Sequence, residues 1–574
     1  MKTLLRYLKP VYARMLLGTM IKILATVSEL TLPYILSHIL QSVVASKDIR
    51  KILFWGILMV GFSGLACIGN IIANRMAVKV SRDFSQKVRH DLFEKMLGLS
   101  SAQTDYFTIA SLESRITTDT YHIHHFISMM QRMGVRAPLM LIGSTVITLM
   151  MDKHLSVVML AISPFVFLIV YFISRKGIPL YSRVQKSVDR MVRVVREDVQ
   201  GIRVIKALSK DEYERRRYDQ VNTALVRDEK RAGMTMGLVH PIMNLLMNMG
   251  IVSVIVISVS RVREGLSNPE TVIAFMQYFT QISMAMMALT RIFSMCSKSF
   301  ASAKRIEEVL CCEDELAVKD ESDYPGKPSD NIVEFEHVRF SYNGKLDNIR
   351  DINFTLKPGQ SLGIIGATGS GKSTIIKLLL RFYDVDSGSV RIYGRDIRTI
   401  PKEELYAMFG VAMQNDFLYA DTIFENIKFG RDLSEEEIVT AARVAQAHDF
   451  IISFEEGYDH LLSQKATNIS GGQKQRLLIA RALAAKPQIL ILDDSSSALD
   501  YKTEANLRKA LKEHMKETTV ITVAQRVSAV KSCDLILVLD DGDIIGQGTH
   551  KELLEHCIPY KEISDSQMGG AIIE

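Results

Sequence analysis

The 574-residue chain is expected to fold as an α-helical six-span transmembrane domain followed by an α/β P-loop domain. Three observations lead there. Apolar stretches near membrane-crossing length recur through the first 300 or so residues, the pattern changes near Val333 to short strands broken by turns and helices, and a glycine-rich loop of fixed spacing follows one of those strands. The expected division is 1–310 for the membrane domain, 311–332 for a linker and 333–574 for the soluble domain.

A helix needs about 20 apolar residues to cross a bilayer core of about 30 Å. Stretches 15–43, 52–74, 133–151, 155–174, 236–260 and 271–297 meet that requirement. The segments after the second and fourth are long, polar and helical in pattern. The first carries Lys79, Arg82, Lys87, Arg89 and Lys95; the second carries Arg183, Lys186, Arg190, Arg193, Arg203, Lys206 and Arg215 to Arg217. The other connections are short and poor in basic residues, so both termini and both long loops are expected in the cytoplasm. This sorting accounts for the formal net charge of +6 without a nucleic-acid partner. Turns around Tyr106 to Ser114 and around Gly201 to Glu214 are the expected contact points with the soluble domain.

The N-terminal MKTLLRYLKPVYARMLLG mixes basic and apolar residues at helical spacing and reads as an interfacial helix, not a signal peptide. The six cysteines form no CxxC pair and have no neighbouring metal-ligand histidine, so reduced thiols are expected.

Polar side chains inside spans are costly, which makes each one a candidate for a substrate path. Lys22 and Glu29 stand two turns apart on one face of the first span; Asn244 with Asn248, and Gln277 with Gln281, are each one turn apart. Hydrogen bonding between helices is the competing explanation. Met243, Met247, Met249, Met284, Met286 and Met287 would suit a cavity for varied apolar ligands, or simple packing against lipid.

The segment 311–332, CCEDELAVKDESDYPGKPSDNI, is acidic with Pro and Gly, as a linker would be. Beyond it, LGIIGATGSGKSTIIKLLL places Gly366, Ala367, Thr368, Gly369, Ser370, Gly371, Lys372, Ser373 and Thr374 between an apolar strand and an apolar helix. Glycines let backbone N–H groups close around phosphates, and the helix N-terminus adds partial positive charge. Lys372 would reach the terminal phosphates of ATP, and Ser373 would offer its hydroxyl to Mg²⁺. The strand in PQILILDDSSSALD ends at Asp493, the expected second anchor for Mg²⁺. In NISGGQKQRLLIARAL, Ser470, Gly471, Gly472 and Gln473 open another helix, a second anion site for which one domain has no obvious use.

That second helix resembles the signature motif of ATP-binding cassette (ABC) transporters, and the order of the whole chain is similar to an exporter-type half-transporter. The resemblance implies that Ser470 to Gln473 cap the ATP held by a second ABC half-transporter, with nucleotide shared across a dimer. It further implies that Tyr342 stacks on adenine, that Gln414 meets Mg²⁺ and the attacking water, and that Ser497 to Asp500 cross the dimer interface.

Departures from the family pattern point to one site. A glutamate base is usual after Asp493, where this chain has Asp494, shorter by one methylene; a switch histidine is usual where it has Gln525, which cannot become a cation. Gln464 replaces a glutamate that often meets the coupling loop. The combination is similar to the degenerate subunit of heterodimeric bacterial multidrug exporters. The expectation is therefore export of apolar or amphipathic compounds (drug, lipid or peptide-like) across a bacterial plasma membrane. Hydrolysis would be weak at the chain's own site, and its signature helix would serve the partner. A slow homodimeric exporter, an importer of exporter fold (for example of metal chelates) and an ATP-gated regulator stand as alternatives; the six spans exclude a soluble DNA-repair or translation ATPase.

Overall fold

The computed structural model describes residues 2–44, 46–263, 269–313, 316–414, 416–495 and 498–568. It divides into two compact units, Met1–Leu97 with Ile109–Cys312, and Gly98–Thr108 with Glu313–Glu574.

In the first unit the apolar stretches lie on helices, three of which run well past them. The helices are α1 (Tyr12–His38) and α2 (Ile49–Leu97), then, after the short α3 (Ser101–Phe107) of the second unit, α4 (Val135–Met151), α5 (Lys153–Gln200), α6 (Asp211–Gly237), α7 (Val239–Arg263) and α8 (Pro269–Leu310). At 1.5 Å per residue the 49 residues of α2 extend about 74 Å, more than twice a bilayer core. Five helical stretches among the described residues are long and apolar enough to cross a membrane: Leu4–Val43, Ile49–Leu97, Ile109–Met151, Asp211–Arg261 and Thr271–Leu289. The expected span 155–174 lies on α5, whose described apolar part is Lys153–Ile162. The N-terminal helix is broken into Lys2–Arg6 and a 3₁₀ turn Lys9–Val11, because Pro10 cannot continue the ladder from the preceding turn.

Leu30, Met140, Leu155, Phe275, Tyr278 and Ile282 form the centre of this unit. The buried Tyr278 hydroxyl donates to the Leu30 carbonyl at 2.7 Å, so the aromatic is satisfied without water. α1 and α2 approach closely at Gly69, where an added Cβ would lie 2.9 Å from that of Ala25.

Beyond the apolar spans the unit is held by charge. Asp119 is wholly buried; it accepts hydrogen bonds from Arg305 Nε at 2.7 Å and from the Ser302 hydroxyl at 2.8 Å, and Arg305 engages its second oxygen as well. Asp119→Ala should cost about 3 kcal/mol, the lower end for breaking a buried pair because the remaining Arg305 is half exposed. A lowered thermal midpoint in detergent is the expected reading, and an unchanged midpoint would refute it.

The second unit contains two sheets. Strands β1 (Val333–Phe340), β2 (Ile349–Leu356), β4 (Ser387–Ile392) and β5 (Arg395–Asp396) form an antiparallel sheet in the order β2-β1-β4-β5. Strands β3 (Ser361–Gly366), β6 (Phe409–Ala412), β7 (Ile489–Asp493), β8 (Thr519–Val523), β9 (Leu535–Asp540) and β10 (Asp543–Gly548) form the other, ordered β10-β9-β3-β8-β7-β6. All its pairings are parallel except that of the edge strand β10. Helices α9 (Lys372–Leu379) and α10 (Gly471–Leu483) follow β3 and precede β7. Every residue of β7, ILILD, is buried, as a parallel strand covered on both faces requires.

The acidic segment before β1 is partly pinned down. Lys319 N donates to the Arg398 carbonyl at 2.8 Å, Lys327 N to the Gly394 carbonyl at 2.9 Å, and the Arg398 guanidinium lies 4.0 Å from the Tyr324 ring centre. Residues 319–327 therefore form an ordered strap along the antiparallel sheet, held by backbone bonds and a cation–π contact.

Candidate nucleotide-binding site

The loop from β3 to α9 leans on its glycines. Gly369 and Gly371 take φ of +89° and +99°, in the left-handed region, and a Cβ on Gly366 would come within 2.2 Å of the Leu539 carbonyl oxygen. Ala367 and Thr368 lie exposed on the outer bend; Ser370 turns inward, its N–H donating to the Ala367 carbonyl at 3.2 Å. The Ser370 hydroxyl is buried and has no protein partner. Gly371 caps α9, so that helix begins beneath the loop.

Lys372 is buried, and its ammonium donates to the Gly366 and Ala367 carbonyls at 2.9 and 2.6 Å. Burial lowers its pKa below the usual lysine range, while Asp494 and Asp493 pull the other way. The Ser373 hydroxyl lies 3.3 Å from Asp493 Oδ1. Burial raises the Asp493 pKa, against the hydrogen bond from Ser373. A buried carboxylate beside a hydroxyl is an oxygen pair suited to a hard cation such as Mg²⁺, and the orphaned Ser370 hydroxyl suits an anionic oxygen above the loop.

Across the cavity stands Asp494, one residue past the end of β7, at φ +48°. Gln414 Nε2 donates to its Oδ2 at 3.0 Å and Gln525 Nε2 to the same oxygen at 3.3 Å. Three residues distant in sequence thus converge on one atom. The Tyr342 hydroxyl lies 3.3 Å from Thr374 Oγ1 and its ring is partly exposed. Tyr342, Lys372, Gln414, Asp493, Asp494 and Gln525 are among the residues around a single cavity of about 350 Å³.

Asn348, Val523 and Lys377 join the expected residues at or beside the cavity. Asn348 lines the cavity and its Oδ1 accepts from Tyr342 N at 3.1 Å; nothing in YNGKLDN marks it. Lys377 sets its ammonium 5.3 Å from the Tyr342 ring centre, and its place five residues after Lys372 on α9 was the available signal.

Ser470 to Gln473 are not part of this cavity. Ser470 is the N-cap of α10, with its hydroxyl accepting from Gln473 N at 3.2 Å and Gln473 Oε1 accepting from Ser470 N at 2.9 Å. Ser470 and Gly471 are exposed, and a Cβ on Gly472 would lie 3.0 Å from the Ala498 carbonyl. Of the SALD stretch, Ser497 lies outside the described residues, and Asp500 caps the following helix through Thr503 N at 3.2 Å. Gln464 begins a 3₁₀ turn and is exposed.

The polar residues of the spans separate into two groups. Lys22 donates to Asn70 at 2.7 Å and Asn74 at 3.2 Å, Glu29 pairs with Arg136 at 2.5 Å, and Gln281 accepts from Ser144 at 3.2 Å. Each of these ties one helix to another. Asn244, Asn248 and Gln277 are exposed, as are Met249 and Met284, whereas Met243 is buried.

Known proteins share this organisation. The family model described as the ABC transporter transmembrane region matches residues 15–286, and that described as ABC transporter matches 349–497. The chain is 35% identical to the uncharacterized ABC transporter ATP-binding protein YfiB of Bacillus subtilis over 572 residues, 99% of each chain. It is 32% identical to the uncharacterized ABC transporter ATP-binding protein Rv1273c of Mycobacterium tuberculosis over 573 residues, 99% of this chain and 98% of that one. A solved bacterial Atm1-family ABC exporter with ATP bound superposes with a TM-score of 0.81, covering 97% of this chain and 98% of the other at 23% identity, a likeness of fold.

Proposed function

The chain belongs to the ABC transporter family as a half-transporter, a multi-pass membrane domain fused to one ATPase domain in an exporter-type fold, and on that premise we propose that it is the weak-site subunit of a heterodimeric exporter of apolar or amphipathic compounds. ATP would rest its phosphates on the loop Gly366 to Thr374, with Lys372 as the cation beneath and Tyr342 against the adenine. Ser373, Asp493 and Gln414 would hold Mg²⁺, which when bound neutralises charge on the phosphates.

The observation that carries the weak-site reading is the double amide grip on Asp494 Oδ2. A general base must turn a lone pair toward the attacking water. Here that oxygen already accepts two N–H groups on a side chain one methylene short. Gln525 can donate a hydrogen bond to a phosphate but cannot supply positive charge as phosphate charge redistributes. The intact cap of α10 supports the complementary role, in which Ser470 to Gln473 complete the partner's site. Both termini would lie in the cytoplasm, on the side carrying the basic loops.

Purification of a tagged copy from native membranes tests the assembly. A second half-transporter with Glu and His at the positions of Asp494 and Gln525 should come with it; recovery of a homodimer with full ATPase activity would overturn the proposal. Inside-out vesicles should accumulate a fluorescent amphipathic dye on ATP addition. Lys372→Ala should lower photolabelling of this chain by azido-ATP about 100-fold, since bonds to charged groups are worth about 1.5–3 kcal/mol each and more than one is lost. Labelling at the unaltered level would remove Lys372 from the site.

A further inference from the structure

The turn after α9, Arg381 to Asp384, holds two distant segments. Arg381 is buried at φ +51°; its Nε donates to Asp384 Oδ1 at 2.9 Å and another nitrogen to the Ala317 carbonyl at 2.9 Å. Two residues on, the Tyr383 hydroxyl donates to Asp105 Oδ2 at 2.7 Å. Asp105 lies on α3, in the segment Gly98–Thr108 that belongs to the ATPase unit although both its ends continue into the membrane unit. α3 is built to keep its place. Ser100 and Gln103 form a capping box at 3.0 and 3.1 Å, and Gln103 Nε2 donates to the Glu313 carbonyl at 2.6 Å.

The other side of Tyr383 faces aromatic rings. It meets Tyr342 edge-on, with centroids 5.1 Å apart and planes at 88°, and Phe340 stands 5.4 Å from Tyr383 and 4.9 Å from Tyr342. Tyr342 is 42% exposed at the cavity, whereas Tyr383 is 8% exposed. Burial, and then the Asp105 carboxylate, push the Tyr383 hydroxyl pKa above the usual tyrosine range, so it remains a donor at any ordinary pH.

We propose that Tyr383 is a positioning residue that carries the state of the nucleotide-facing Tyr342 to the segment Gly98–Thr108 through its hydroxyl bond to Asp105. The inference rests on the adenine-stacking reading of Tyr342. Edge-to-face pairs hold a preferred geometry, and a buried hydroxyl loses free energy if it abandons its acceptor. When a base orders Tyr342, Tyr383 can follow only by drawing Asp105 with it. This route reports the base, whereas the phosphates act on Lys372 and Asp494.

Hydrogen exchange at amides 103–107, on the full-length protein in lipid nanodiscs, tests the relay. Mg-ATP should slow exchange there about tenfold beyond Mg-tripolyphosphate, which has phosphates but no base. Tyr383→Phe and Asp105→Leu should each shrink that difference below about twofold, and the double variant should add nothing, as expected of two ends of one bond. Retained azido-ATP labelling identifies each variant as folded. A full ATP response in Tyr383→Phe, or an equal response of the unaltered chain to tripolyphosphate, overturns the relay. Failure of the premise looks different: Tyr342→Ala would then bind ATP as tightly as the unaltered chain.

Discussion

Asp494→Glu combined with Gln525→His should raise ATP hydrolysis at this site by about 100-fold. The added methylene moves the carboxylate by about 1–1.5 Å, and misplacement on that scale costs on the order of 100-fold. It also takes the carboxylate away from the point where the Gln414 and Gln525 amides now meet. Histidine removes one of those donors and supplies a group that can become cationic beside the phosphate. Groups acting on one reacting atom are strongly non-additive, so either change alone should recover only part of the rate. A separate cost falls on stability. Aspartate tolerates the left-handed φ of +48° better than glutamate does, and the variant should lose up to about 1 kcal/mol there. Single-turnover hydrolysis in the reconstituted complex separates the two effects; a rate unchanged by both substitutions would mean that these side chains do not limit the site.

Ser470→Asp in this chain should lower ATP turnover of the assembled transporter by about 100- to 1000-fold while leaving azido-ATP labelling of the chain itself unchanged. The substitution is chosen because aspartate caps a helix as well as serine, so α10 keeps its N-terminal bonds. What changes is charge. A carboxylate replaces a hydroxyl at the exposed start of a helix proposed to meet the partner's nucleotide, and it repels the phosphates that the helix would otherwise favour. The magnitude follows losses seen when one preorganised donor to a developing anion is removed. Turnover at the unaltered rate would mean that nucleotide is not shared between two such helices, and the heterodimer proposal would fail with it.

Much of this architecture is legible in the amino acids because it depends on local rules. The period of the apolar residues marks the membrane helices, and the glycines at 366, 369 and 371 suit a loop with a close backbone approach at the first and left-handed φ at the other two. Helix ends in the membrane domain were less legible. α2 continues through polar sequence with no proline at the membrane boundary, and α5 continues through Pro164 and Pro179 without ending, so hydropathy ends where the helix does not. Partners brought together by tertiary structure were not legible at all. The spacing of Lys22 and Glu29 on one face gives no hint that Asn70 and Arg136 take them up separately. Composition marked 311–332 as a linker, since Pro, Gly and acidic residues mean the same thing whether a segment is free or pinned. Its partners, the Gly394 and Arg398 carbonyls and the Glu336 carboxylate, lie on distant parts of the chain that local composition does not announce. The convergence of Gln414, Asp494 and Gln525 on one oxygen is of the same kind: their identities could be read, their shared atom could not.

The uninterrupted length of α2 has a mechanical corollary. Its 49 residues include no proline, the commonest cause of a sharp kink, so the helix can move as one lever. Over about 74 Å, a tilt of about 5° at one end sweeps the other through about 6 Å. Such leverage turns a small angular adjustment near Leu97 into a displacement at the opposite tip comparable to a full helical turn, enough to open or shut a passage for a small molecule.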